Sequence, residues 1–415
     1  RQPLDNKIDI ETRQQAIKEL SNYNDFRETF RITGCLNKND ETTMNDLKEW
    51  IASPSVFLQK KSNQWICWAV PVINIILFVL GMMNVISMSW FGLVFCSFAI
   101  ASSKLIRRIT RIQESYNKTL KMLSTYVRLI ELADKQSMES PLLIALKKEF
   151  ESHGKKASEV LSILAKELDR LDLRNNLILY ALLEGSLFWQ LRQMLRIERW
   201  KEEYGAHLLQ WLEALGQLDA ISALGTFAFN HEEYTYPIIT DQPFIFRAKN
   251  MGHPLMPRKQ CVVNDAEIPQ RPYFLIITGA NMAGKSTYLR TIGCNYILAC
   301  IGAPVCCSSL EIYPAHLMTS LRTSDSLANN ESYFFAELKR LQQILDRLKS
   351  GEEMFIILDE ILKGTHSYEE WLELESEVNE YLKELTEEQQ DHFTESGAGE
   401  LLWMMCSAIR NIKDA

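Results

Sequence analysis

Gly279 and Gly284 bracket Ala280–Ala283, and Lys285, Ser286 and Thr287 follow at once. Glycines at both ends let the backbone close around a compact anion with no Cβ in the way. The loop amides and the first amides of a following helix direct partial positive charge at that anion. A lysine adds a full charge near the outer phosphates, and a serine hydroxyl suits Mg²⁺. The pattern G-x-x-x-x-G-K-S therefore predicts bound ATP, held by Gly279, Asn281, Met282, Ala283, Gly284, Lys285, Ser286 and Thr287. A second group, Asp359-Glu360, fits the same chemistry. Asp359 would share Mg²⁺ with Ser286, and Glu360 would be the catalytic residue that positions and polarises the attacking water.

Such groups need rigid supports. The apolar run Tyr273-Phe274-Leu275-Ile276-Ile277 reads as a buried parallel strand feeding the loop. A helical pattern begins at Lys285 and runs past Tyr288, Leu289 and Ile292. Met354-Phe355-Ile356-Ile357-Leu358 reads as another buried strand, ending at the acidic pair in the manner of a Walker B motif. Strand, glycine loop and helix in that order turn a string match into a site.

With these residues in view, the chain resembles the MutS DNA mismatch repair family. Thr278 to Met282 and Lys285 to Arg290 are close to that family's phosphate loop, in which Asn-Met is unusual among NTPases. Asp359-Glu360 with Gly364-Thr365 resembles its Walker B segment. Asp325–Ala328 and Ser332–Glu337 resemble its signature segment, with Asn330 where glycine is common and Tyr333 where threonine is common. The resemblance implies that Ser332 contacts the nucleotide of a partner subunit; its bland alternative is a helix N-cap. Leu4-Asp5 and Ile10–Ile17 resemble the start of the family's helical core. Leu218–Leu224 resembles its return to the ATPase domain, and His253-Pro254-Leu255 its lead-in to the loop. The similarity covers most of 1–35 and 205–367.

The chain has 415 residues and a net charge of -8, which disfavours a strong whole-surface field for nucleic acid. It begins at Arg1 rather than Met, as a fragment would. Its 9 cysteines form no Cys-x-x-Cys, so neither a zinc ribbon nor a disulfide framework is predicted. Reduced thiols in a cytosolic compartment fit this usage.

From Ser62 to Ser103 there is no Asp, Glu, Lys or Arg. One spanning helix needs about 20 apolar residues. The run holds two, Trp65–Met82 and Ile86–Ser102, joined near Asn84, with Trp65, Trp68 and Trp90 as interface anchors. Lys60 and Lys61 precede it, and Lys104, Arg107, Arg108 and Arg111 follow it. Basic flanks on both sides predict a multi-pass membrane protein of two spans with both soluble parts cytoplasmic. A hairpin buried in a soluble core is the alternative.

From Leu105 to Ala228 the pattern is helical, with Leu161, Leu164, Leu168 and Leu171 on one face and Ser140-Pro141 as a helix start. Mismatch readers of the resembled family insert the aromatic of a Phe-x-Glu element between bases. Here Phe26-Arg27-Glu28, Phe335-Ala336-Glu337 and Phe393-Thr394-Glu395 all lie in other contexts, and the recognition and connector domains have no counterpart. After Ser367 the chain turns acidic, from Glu369 to Glu388, with no visible family motif.

The expected fold is an α/β P-loop NTPase domain, ABC-ATPase-like and incomplete at its C-terminus, plus an all-α core region carrying a transmembrane helical hairpin. The expected domains are the first part of the helical core (1–61), the hairpin (62–103), the second part of the core (104–235), the ATPase (236–367) and an acidic helical tail (368–415). The expected cofactors are ATP and Mg²⁺. The resemblance implies a homodimer through the ATPase face and DNA as a partner; residues 62–103 imply membrane lipid. The function read from this is a membrane-anchored, MutS-like ATP-binding protein, a DNA-dependent ATPase of the mismatch repair type. The alternative is a membrane-tethered, nucleotide-switched scaffold or sensor that binds no DNA.

Overall fold

The computed structural model describes residues 3–35, 41–152, 154–171, 177–269, 275–278, 280, 283–321 and 333–359. Two compact units form, Arg1–Lys18 with Phe227–Ala415, and Glu19–Thr226.

The second unit is helical. Its helices, after α1 (Lys7–Ser21), are α2 (Asn24–Cys35), α3 (Glu41–Ala52), α4 (Lys61–Met82), α5 (Met88–Lys135), α6 (Pro141–Glu149), α7 (Ala157–Leu171) and α8 (Leu177–Leu187). It also holds most of α9 (Trp189–Asn230) and the short hairpin β1 (Glu151–Ser152)–β2 (Lys155–Lys156), which turns through Gly154 at φ 73°. The predicted helix start at Ser140-Pro141 is the N-terminus of α6. The Ser140 hydroxyl makes no cap bond there, and the Glu19 carboxylate accepts the N–H groups of Glu139 and Ser140. The Leu161 and Leu164 side chains of α7 are fully buried. Phe26 is also buried, and Arg27 beside it donates to the Thr226 hydroxyl and the Ser21 carbonyl. Phe26-Arg27-Glu28 is therefore a packing segment.

Helix α4 and the first turns of α5 form the apolar hairpin. The turn is built on Asn84 at φ 54°. Its N–H donates to the Gly81 carbonyl, and the Val85 N–H donates to the Leu80 carbonyl. This double bond pattern stops a helix while satisfying its last carbonyls. Phe78 and Phe91 then meet edge to face, 5.5 Å between centroids. The sequence predicted two separate spans. By length and composition, α4 alone among the described helices is long and apolar enough to cross a membrane, and Met88–Ser102 is a shorter apolar arm. The second arm does not end at Ser102, because α5 continues unbroken to Lys135. The outer face of α4 is apolar and exposed over its length, with Trp65 74%, Ile75 63% and Met82 69% exposed.

The first unit places α10 (Lys285–Cys300) against two sheets. One sheet has four strands in the order β3 (Ile238–Ile239), β6 (Ser309–Ile312), β4 (Phe246–Met251), β5 (Asn264–Ile268). Along β4, Phe246, Ala248 and Met251 face the core. Arg247 points outward and pairs with Glu267 of β5 and Glu311 of β6, each at 3.2 Å and each its register partner. The other sheet is a parallel pair, β7 (His316–Ser320) and β8 (Met354–Leu358), joined through α11 (Tyr333–Lys349).

Candidate nucleotide-binding site

β8 occupies the run the sequence marks as a strand. Its continuous apolar character follows from being covered on both faces. Met354, Ile356 and Leu358 pack with Ile344, Leu345 and Leu348 of α11. Phe355 and Ile357 face the opposite way, into the core shared with α10. Alternation along a strand then sends the next odd-numbered residue, Asp359, toward α10 as well. The backbone supports this, because the Asp359 N–H still donates to the Ser320 carbonyl at 2.9 Å, one step past the paired strands.

Two contacts fix the direction of α10 against β8. The Phe355 ring stacks on Tyr296, with centroids 4.5 Å apart and planes 7° apart. The Ile357 Cδ1 lies 3.3 Å from where a Gly293 Cβ would stand. As the strand advances from 355 to 357, the helix retreats from 296 to 293. The carboxyl end of β8 and the amino end of α10 are thus on one side. Two strand residues span about 6.6 Å and one helical residue rises about 1.5 Å, so Asp359 stands near the level of Leu289, roughly one turn from Ser286.

The amino end of α10 carries the loop residues. Gly284 precedes the helix at φ 90°, ψ 11°. No protein atom crowds a Cβ there, so within the chain itself the glycine is needed for its left-handed backbone. The Ala283 N–H donates to the Ala280 carbonyl at 3.2 Å, and the Tyr288 N–H donates to the Gly284 carbonyl at 2.9 Å. Lys285 folds its ammonium back over the loop, 3.1 Å from the Ala280 carbonyl. Ser286 is half-buried and Thr287 exposed, and the Thr287 carbonyl accepts from the Thr291 hydroxyl.

Ala283, Gly284, Lys285, Ser286, Thr287 and Asp359 are thereby brought to one end of the α10–β8 pair. Gly279, Asn281, Met282, Glu360 and Ser332 lie outside the described residues. The strand expected at 273–277 differs. Leu275–Thr278 have no assigned strand, and Leu275 and Ile276 are 40% and 72% exposed. An apolar run becomes a strand only through ladder partners, and among the described residues β8 pairs with β7 alone.

Behind the site, Asn295 of α10 donates to the Gly252 carbonyl and accepts from the Cys306 N–H. The Tyr296 hydroxyl donates to Tyr313 O and accepts from the Ala315 N–H, and burial pushes that phenol well above its ordinary range. Neither anchor was singled out in the sequence. A polar residue amid an apolar helix face is the signal that could have found Asn295.

Residues 275–395 match the model of MutS domain V. Over these residues the chain is similar to the MutS family. The match continues through 368–395, further than the visible motifs carry it. That stretch is rich in glutamate. The DNA mismatch repair protein MutS of Lactococcus lactis subsp. lactis is 31% identical over 191 residues, 45% of this chain and 22% of that protein. The protein of the same name from Thermosipho melanesiensis is 33% identical over 192 residues, 45% and 22% of the two chains. That from Chlorobaculum tepidum is 32% identical over 197 residues, 45% and 21%. The aligned stretch thus spans less than a quarter of each of these relatives.

Proposed function

We propose that this MutS-like chain is a membrane-anchored ATP-binding protein and a DNA-dependent ATPase of the mismatch repair type. The observation that carries the reading is the shared end of α10 and β8. It puts Gly284, Lys285 and Ser286 at the same end of the α10–β8 pair as Asp359. These residues fit ATP with Mg²⁺: the left-handed Gly284 opens the helix N-terminus, and Lys285 already lies across the loop. Gly279, Asn281, Met282, Ala283, Gly284, Lys285 and Thr287 would hold the phosphates, with Ser286 and Asp359 on the metal. Mg²⁺ supplies charge neutralisation between the phosphates when bound. Glu360 would orient water, and Ser332 would reach the nucleotide of a second copy, making a homodimer the active form. The α/β P-loop NTPase fold, the two-span cytoplasm-facing anchor through 62–103 and the DNA partner belong to the same proposal.

Labelled-ATP binding to the full chain in detergent tests it. Lys285→Ala is expected to abolish binding while the far-ultraviolet circular dichroism stays unchanged. Unaltered affinity in that variant would move the site elsewhere.

A second reading is favoured by the net charge of -8 and the exposed apolar hairpin. It is a nucleotide-switched membrane scaffold that binds no DNA.

A further inference from the structure

We infer that Cys261 and Cys306 form a thiol pair that closes reversibly to a disulfide on reaction with a low-molecular-weight disulfide such as oxidised glutathione. The inference stands apart from the nucleotide site. A Cβ built on Gly252 would lie 2.8 Å from Cys261 Sγ and 3.1 Å from Cys306 Sγ. The two sulfurs therefore face one small gap, no farther apart than the sum of those distances. Gly252 has no positive φ, so its backbone does not require glycine. What requires glycine is the space, since any side chain would stand between the thiols.

The frame around the gap is well held. The Gly252 N–H donates to the Cys306 carbonyl at 2.7 Å, and Asn295 bonds both residues from α10. The His253 N–H donates to Cys261 Sγ at 3.2 Å, which orients that sulfur. Both cysteines are half-buried and free. The pair is unsuited to a metal, since no group of three or more His, Cys, Asp or Glu is arranged for one among the described residues. Disulfide geometry needs the sulfurs about 2.05 Å apart, which side-chain rotation over an open gap can supply.

The step balances. One thiolate attacks glutathione disulfide and releases a glutathione thiolate. The second thiol then loses its proton and displaces the other glutathione from the mixed disulfide. Two protein thiols are oxidised by two electrons, and one glutathione disulfide becomes two glutathione molecules. The product ties the 252–261 segment to the strand lead-in at Cys306. A reducing compartment reopens it.

The test uses the full reduced chain in detergent, treated with oxidised glutathione, alkylated and digested without reductant for mass spectrometry. A linked Cys261–Cys306 peptide pair, lighter by two hydrogens and lost on adding dithiothreitol, is expected. Exposed Cys35 should carry only glutathione. Cys306→Ser should leave Cys261 as a glutathione adduct, and Gly252→Ala should suppress the link. If in the parent protein both thiols stay alkylatable, carry separate glutathiones or pair with other cysteines, the inference is overturned.

Discussion

At the residue scale, His253 reports on the lead-in to the phosphate loop. Its Nδ1 accepts the Leu255 N–H at 3.2 Å, which requires that nitrogen to be unprotonated. Burial first, then the Arg290 guanidinium, lower its pKa from the ordinary 6.5. His231 shifts the same way, through burial and Arg258. For a base whose folded pKa is depressed, the unfolded chain binds more protons in the window between the two values. Stability is then intact above the unfolded value and declines as the pH falls from 6.5 through the depressed folded value. Thermal melts at stepped pH should show the midpoint dropping across that window, with a shallower drop in His253→Gln. An identical pH profile in the variant would remove His253 from the effect. The loop residues stand out in the sequence because phosphate chemistry fixes both their types and their spacing. The Gly252–Cys261–Cys306 grouping does not, because only folding assembles it, and composition shows scattered cysteines.

At the element scale, legibility follows from how local the signal is. β8 could be read because both of its faces are buried, so its apolar run is unbroken. Leu275–Thr278 reads the same way in sequence yet has no strand partner among the described residues, since pairing is decided by distant segments. The hairpin was readable from its lack of charge, whereas the 48-residue length of α5 was not. Lys104, Arg107, Arg108 and Arg111 end the uncharged run of the sequence without breaking the helix. Ile75 sits near the middle of α4, 63% exposed. A lysine at the centre of a membrane helix costs about 2.5–3.5 kcal/mol on insertion, roughly a hundredfold in partition. On a soluble helix surface the same change falls within about 0.5 kcal/mol. Ile75→Lys should therefore shift the protein out of the carbonate-resistant membrane fraction, while Lys48→Ala on α3 should not. Absence of both Ile75→Lys and the parent from the carbonate-resistant fraction would speak for a soluble hairpin.

At the scale of the whole molecule, two facts pull apart. The likeness to the MutS family rests on the segment at 275–395, and the named relatives are DNA mismatch repair proteins. Yet the chain carries a net charge of -8, and its Phe26-Arg27-Glu28 segment packs in a helical core instead of reaching a base stack. Affinity for DNA comes chiefly from neutralised phosphates, each contributing about -0.9 to the slope of log K against log salt concentration. An acidic chain must confine its cations to one face to bind at all, so its slope should be small and its binding confined to low salt. The full chain in detergent, titrated against labelled duplex and branched DNA with and without ATP, is expected to bind at low salt, more tightly with ATP, and to release as salt rises. Nucleotide can change DNA affinity only if it favours one state over another, so the ATP effect should vanish in Lys285→Ala while basal binding remains. Absence of binding at the lowest salt, in a preparation that still holds ATP, would remove DNA from the function and leave the nucleotide-switched membrane scaffold.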